Sequence, residues 1–248
     1  MTDPINVYLI KTVHSETPLR VEVDVQDYYT DTHVYTLCAH VDNSLKARKG
    51  FNLLTNDTLV MRPDVNIIDV RHLDLWGWWN KMYLFSEEVS GDGINIYFDL
   101  DLKIQRDITW VTDYCLDDKI TMLYSYWKPI DWEQTAYKVS NYDPSFKHTT
   151  LTNSSFMMWK GKQFHYIWEE YYKDPDKFMV EFRGNDDYMN RFHRDVIKVM
   201  PRGFAHSYFY GAEAGSEFFP KDKEPYRDRP QYHLNLLNGL GKPNKVRQ

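Results

Sequence analysis

The chain has 248 residues, a formal net charge of −6, and 42% hydrophobic and 16% aromatic residues. Such a length suits one large domain or two small ones, and the acidic balance without a basic stripe argues against a nucleic-acid groove. The first residues, MTDPINVYLIKT, start acidic and carry only a short apolar run, so neither a signal peptide nor a membrane span is expected, and the location expected is cytoplasmic. Cys38 and Cys115 lack metal or redox spacing and read as free thiols of a reducing compartment, with a single disulfide as the alternative.

Residues 5–11 (INVYLIK) predict a buried first strand, and VEVDV at 21–25 alternates as a short strand does. Asp31 is placed to cap a helix over 32–45, where Val34, Leu37, Cys38, Val41 and Leu45 recur at helical spacing. Gly50 is read as the end of that helix, and strands are predicted at 51–54 and 65–70. A helix at 76–85 follows, and Gly91 and Gly93 then break the chain before the most strand-like run, 94–104 (INIYFDLDLKI). The second half predicts strands at 120–127 and 149–159 and helices at 162–172 and 186–192, with proline-punctuated loop beyond Gly203. Strand–helix alternation in the first hundred residues favours a largely parallel sheet with helices packed on it, in one domain.

Asp99 and Asp101 close the apolar run that begins at Ile94. On a continuous strand they share a face, and Leu100 takes the other. Two carboxylates side by side are costly to bury without a cation, and the exit edge of an α/β sheet is where ligands bind. A hard ion with oxygen ligands, Mn²⁺ or Mg²⁺, answers both points and can bridge to a diphosphate. Asp174 and Asp176 repeat the spacing around Pro175 with no buried strand before them, and read as a solvated turn. No Walker A loop, G-x-G-x-x-G, HExxH or G-x-S-x-G is present.

Seven pieces in order, VYLIKT, NLLTND, WGWWNKMYLF, IYFDLDLKI, NSSFMMW, GNDDYMNRF and LNGLGKPNKV, carry a resemblance. Together they resemble small bacterial and phage glycosyltransferases of the A-type fold, related to the glycogenin-like and galactosyltransferase-like retaining enzymes, over roughly residues 7–246. The resemblance implies an α/β fold, a Rossmann-like mostly parallel sheet flanked by helices. It implies a single domain over 1–248, with a nucleotide-binding half at 1–105 and an acceptor-side half at 106–248. It also implies metal-dependent, retaining transfer of a hexose from a nucleotide-diphosphate sugar, UDP-linked, to a hydroxyl on a glycan, lipid or protein.

By position, the resemblance makes Asp99 and Asp101 the metal pair. Lys11, Thr12, Thr55, Asn56 and Asp57 become the nucleotide pocket, and Trp78, Trp79 and Lys81 a motif beside the donor. For the two tryptophans, packing of the helix on the sheet is the alternative; for Lys81 it is a solvated lysine. Asn153, Ser154 and Ser155 resemble the segment lining the donor sugar. Asp186 and Asp187 resemble the acceptor-side acids, or else favour a helix start. Relatives carry a histidine as third metal ligand where this chain has Asn238, with His233 nearby; Lys242 matches a diphosphate contact. Two other classes stay open: a metal-dependent nucleotidyltransferase, and a non-catalytic carbohydrate-binding protein with the same fold.

Overall fold

The computed structural model describes residues 3–13, 29–57, 63–105, 107–125, 152–182, 184–200, 204–207 and 236–238. Strand β1, Ile5–Lys11, is almost wholly buried, and its alternating side chains feed two different cores. Val7 and Leu9 join a core with Val34, Leu37, Cys38 and Val41 of helix α1, Asp31–Ser44. Tyr8 and Ile10 join the other, built against the 3-10 helix Gly77–Phe85 and the late helices. A strand buried on both faces is apolar throughout, which is why β1 reads as a continuous hydrophobic run.

The main sheet has the order β3-β2-β1-β4-β7-β6-β8. Its strands are β2 Lys49–Thr55, β3 Val65–Asp69, β4 Ile94–Phe98, β6 Ile120–Tyr124, β7 Thr152–Lys160 and β8 Ile197–Val199. β1 pairs in parallel with both β2 and β4, while β7 runs antiparallel to β4 and to β6. A small second sheet holds β5 (Lys103–Ile104), β10 (Leu236–Asn238) and β9 (Ala205–Ser207) in that order. The chain winds from β1 outward to β3 and then returns to the other side of β1 as β4. The crevice between β1 and β4 at their carboxyl ends is therefore the topological switch point.

The expected mostly parallel α/β sheet is present, with local corrections. The strand predicted over 94–104 stops at Phe98, because the chain leaves the sheet through a turn in which Leu102 N–H donates to the Asp99 carbonyl at 3.2 Å. Thr30, not Asp31, is the cap residue of α1, and Gly50 lies inside β2. Asp174 does not form a free turn: its carboxylate accepts from Lys177 N–H and starts helix α3, Pro175–Glu181, with Pro175 in the first turn. α2, His165–Tyr171, is shorter than predicted, and α4 is Asn185–Phe192. The VEVDV segment lies outside the described residues. Cys38 and Cys115 are both free thiols. Among the described residues no helix is long and apolar enough to cross a membrane.

The helical layer on the Tyr8 face is aromatic. Trp79, fully buried, stacks on Tyr171 with centroids 5.4 Å apart and planes 6° from parallel, and Tyr188 meets its edge. Trp79→Ala is expected to cost about 3–5 kcal/mol in equilibrium urea denaturation. A cost below about 1 kcal/mol would mean that this stack is peripheral to the core.

His193, buried beside α4, has Nε2 3.7 Å from Glu170 of α2. Burial pulls its imidazole below the ordinary value, against the opposing charges of Glu170 and Asp195. The folded value thus lies below the unfolded one. Stability is complete above the ordinary histidine pKa of about 6.5 and is lost as pH falls through the folded value. Unfolding midpoints of His193→Gln are expected to vary less than wild type as pH falls from about 7 to about 5.

Candidate active site

The carboxyl edge of the parallel strands collects most of the predicted site. Lys11 ends β1, Thr55 ends β2 and Asp99 follows β4. Because β7 runs the other way, its first residues, Thr152 to Ser155, come to the same edge.

Lys81 is the hub. It sits on the 3-10 helix within seven consecutive buried residues, Trp79 to Phe85, so it has no solvent side to point into. Its Nζ lies 2.8 Å from Asp99 Oδ1, with side-chain exposures of 8% and 19%. The same ammonium donates to Ser154 Oγ at 3.2 Å and approaches the Ser154 carbonyl at 3.5 Å, with the Tyr97 ring centroid 5.2 Å away. Asp99 also accepts from the Tyr97 hydroxyl and from Ser155, and its N–H donates to the Ser155 carbonyl at 2.8 Å. Burial pushes the Asp99 carboxyl up, but the Lys81 charge and the donors around it win and hold it below the usual carboxylate range.

Asp101 lies inside the turn, 1% exposed, with the Tyr29 phenol in its electrostatic reach. Burial first, then the charges of Asp101 and Asp99, push that phenol well above its ordinary value. The antiparallel register Leu237↔Lys103 runs β10 back toward this turn, so Asn238, backbone-paired with Ser207, follows at the Leu102 end. Among the described residues no group of three or more His, Cys, Asp or Glu side chains forms a metal cluster. His233 and Lys242 lie outside the described residues.

β7 carries a bulge at this edge. Met122 pairs with Met157 but Leu123 pairs with Asn153, leaving Ser154, Ser155 and Phe156 extra on β7. Such an insertion frees backbone groups from the ladder and re-aims side chains. The freed groups are used: Ser154 N–H donates to Asp186 Oδ1 at 2.9 Å, Ser154 Oγ to Asn185 Oδ1 at 3.2 Å, and Ser155 N–H to Asn153 Oδ1 at 2.9 Å. Asn190 donates to Thr152 Oγ1 and to the Asp186 carbonyl, closing α4 onto β7. Asp187 is 2% exposed; Asn153 and Asp186 stay partly exposed at the junction.

On the β1–β2 side, buried Lys11 meets Asp57 Oδ2 at 2.7 Å and Asp31 Oδ1 at 3.3 Å. Burial draws its ammonium down, and the two carboxylates more than offset this. Asn56 clamps the loop after β1: it accepts from Val13 N–H and donates to the Val13 carbonyl, both at 2.7 Å. Thr55 Oγ1 accepts from Asp57 N–H, and Thr12, partly buried, sits between the strand and the clamp.

The predicted residues therefore divide. Lys81, Asp99, Asn153, Ser154 and Asp186 form one connected cluster through Lys81 and the β7 bulge, and Lys11, Thr55 and Asp57 form another, with Asn56 beside it on Val13. Trp79 belongs to the core, whereas Trp78 is 38% exposed. A Cβ on Gly184 would lie 3.0 Å from Trp78 Nε1, so glycine lets α4 start against that ring. The alternative of a solvated Lys81 is corrected by its burial. Sequence reasoning missed Tyr97 and Tyr29. Tyr97 was open to discovery, two residues before Asp99 on a period-two strand; Tyr29 reaches Asp101 across the fold and leaves no local signal.

No protein-family model and no curated protein matches the chain. Solved structures do. The galactosyltransferase LgtC, in complex with donor and acceptor sugar analogues, is similar at TM-score 0.58 and 14% identity, over 94% of this chain and 86% of that one. Mouse xyloside xylosyltransferase 1, in its apo form, matches at TM-score 0.52 and 12% identity, over 97% and 99%. The glycosyltransferase GlyE of Streptococcus pneumoniae TIGR4 matches at TM-score 0.53 and 13% identity, over 82% of this chain and 47% of that one, so this chain spans about half its length. The chain has the A-type glycosyltransferase fold.

The buried ion pair makes a prediction. Removing one partner leaves an uncompensated buried charge, so Lys81→Met is expected to cost about 3–5 kcal/mol of stability. Lys81→Met combined with Asp99→Asn should cost less than Lys81→Met alone in the same denaturation assay. A double variant worse than the single one would mean that the pair is not coupled.

Proposed function

We propose that this chain is a nucleotide-sugar-dependent glycosyltransferase. It moves a hexose from a nucleoside diphosphate sugar, UDP-linked, to an acceptor hydroxyl with retention, using Mn²⁺ or Mg²⁺ at the Asp99–Asp101 turn. One observation carries the reading: buried Lys81, paired with a partly buried Asp99, and a buried Asp101 lie at the switch point of a glycosyltransferase fold.

The donor set fits a hard divalent ion. Asp99 and Asp101 supply carboxylate oxygens, and the β10 register runs the backbone at Asn238 toward the same turn. When bound, the ion supplies charge neutralisation for a departing diphosphate. Lys81 adds a fixed ammonium beside it, already desolvated and oriented by Ser154, so little reorganisation is needed as phosphate charge develops. Lys11, Thr12, Thr55, Asn56 and Asp57 would border the nucleoside on the β1–β2 side. Trp78, Ser154 and the start of α4 would border the sugar. Asn153 and Asp186, partly exposed at the β7–α4 junction, are available to the hydroxyls of the acceptor, be it glycan, lipid or protein.

Thermal stabilisation by a panel of nucleoside diphosphates, with and without Mn²⁺, tests this in wild type and Asp101→Ala. A ligand at about 100 times its Kd adds about 2.7 kcal/mol of stability. The expected outcome is an Mn²⁺-dependent shift with UDP that Asp101→Ala abolishes, followed by turnover of UDP-sugars. Release of pyrophosphate from nucleoside triphosphates would replace the reading with nucleotidyl transfer. Glycan binding indifferent to EDTA, with no nucleotide shift, would replace it with a non-catalytic role.

A further inference from the structure

Trp78 is 38% exposed, whereas the residues after it on the 3-10 helix, Trp79 to Phe85, are buried. Such a helix has three residues per turn, so Trp78 and Lys81 lie on one side of it, about 6 Å apart along its axis. That side runs from the Lys81 ammonium, inside the site, out to the indole at the surface. The ring is held in place. Trp76 meets it at 72° with centroids 4.5 Å apart, and Gly77 between them turns the chain at φ 51°. Gly184, just before α4, closes on its Nε1 edge. The first residue of α4 adds a second group. Lys81 can only donate, so Ser154 Oγ accepts from it and donates its own hydrogen to Asn185 Oδ1, at 3.2 Å each. This fixes the Asn185 amide with Nδ2 turned away from Ser154. Asn185 is 2% exposed, and Nδ2 has no hydrogen-bond partner among the described residues. A buried donor without an acceptor is costly, and a ligand oxygen at this point removes the cost.

With the function proposed above, these groups follow one another outward: the Lys81 ammonium for phosphate, Asn185 Nδ2 for a hydroxyl of the hexose, and then Trp78. The acceptor oxygen must reach the anomeric carbon of that hexose, so the acceptor lies against the outer side of the sugar, where the indole is. Asn153 and Asp186 stand half-buried at the same junction. One exposed ring face beside polar side chains suits a pyranose, which has a face of C–H groups and a rim of hydroxyls. A lipid chain would need a continuous apolar strip, which Asn153 and Asp186 interrupt. We propose that the acceptor is a carbohydrate and that its terminal pyranose stacks on Trp78. This inference rests on the function proposed above and names its acceptor class.

The test is capture of the full chain, with UDP and Mn²⁺, on an array of glycans ending in glucose, galactose, mannose or an N-acetylhexosamine, followed by calorimetric titration of the captured glycan. Wild type is compared with Trp78→Leu, which keeps an apolar side chain but no ring, and Trp78→Phe, which keeps a ring; UDP, UDP-glucose and UDP-galactose are titrated in parallel. Trp78→Leu is expected to weaken the glycan about tenfold or more and Trp78→Phe by no more than about threefold, as the loss of a stacked ring requires. Nucleotide and nucleotide-sugar affinities are expected to stay within about threefold in both variants, which also shows that they fold. In turnover the same loss appears as a raised acceptor KM with the donor KM little changed. Trp78→Leu with wild-type glycan affinity overturns the inference. So does a Trp78→Leu protein that loses UDP-hexose relative to UDP as strongly as it loses the glycan, because the ring on Trp78 is then the donor's. Wild type that binds UDP and captures no glycan overturns it too, and leaves the proposed function standing. Glycan capture without any nucleotide binding removes the proposed function, and the acceptor role of Trp78 with it.

Discussion

The buried contact between Lys81 and Asp99 is the constraint on which the rest of the site depends. Taking an ammonium and a carboxylate out of water is expensive, and attraction between them offsets the cost only when further hydrogen bonds complete the geometry. Here those bonds come from Tyr97, Ser154 and Ser155. Each belongs to a different stretch of the fold: Tyr97 to β4, the serines to the bulged start of β7, and Lys81 to the 3-10 helix. The pair therefore cannot form until the sheet is assembled and the helical layer has closed on it. In turn Ser154 is tied to Asn185 and Asp186, so the start of α4 is set by the same cluster.

Topology explains why these groups meet. β1 and β4 are parallel neighbours whose connections leave in opposite directions, which opens a crevice at their carboxyl ends. A parallel neighbour in the place of β7 would send its last residues there. The reversed β7 sends its first residues instead, and the bulge takes Ser154 and Ser155 off the β6 ladder. Small polar side chains at that position let Ser154 bond Lys81 and Ser155 bond Asp99.

Much of the scaffold was legible because it follows simple periods. β1, β2 and β4 are buried on both faces and read as apolar runs, and the inner face of α1 follows from Val34, Leu37, Cys38 and Val41. The carboxylate pair was found by its place after such a run, but its geometry was not. Continuing the strand through Asp101 assumes that the ladder continues, and whether it does depends on Ser155, a residue far away in sequence, and on the turn that Leu102 closes onto Asp99. Trp78 and Trp79 could not be separated by sequence, since adjacent residues of a short 3-10 helix diverge by whatever packs around them. Lys81 was harder still. Composition rules place lysine at the surface, and only the long-range neighbours of this one make burial tolerable.

The aromatic excess of the chain takes its meaning from the same cluster. Stiff rings back the 3-10 helix: Trp79 on Tyr171, Tyr83 against Trp168, and Phe85 against Trp159. Aromatic side chains fill volume with few rotatable bonds, so a helix packed on them has little room to shift. Lys81 projects from the middle of that helix with buried residues on both sides. An ammonium on a rigid mount is worth more to a developing phosphate charge than one on a mobile surface chain, because its orientation is fixed before the reaction begins. The aromatic core and the charged site are thus one construction: the rings immobilise the segment, and the segment delivers the charge.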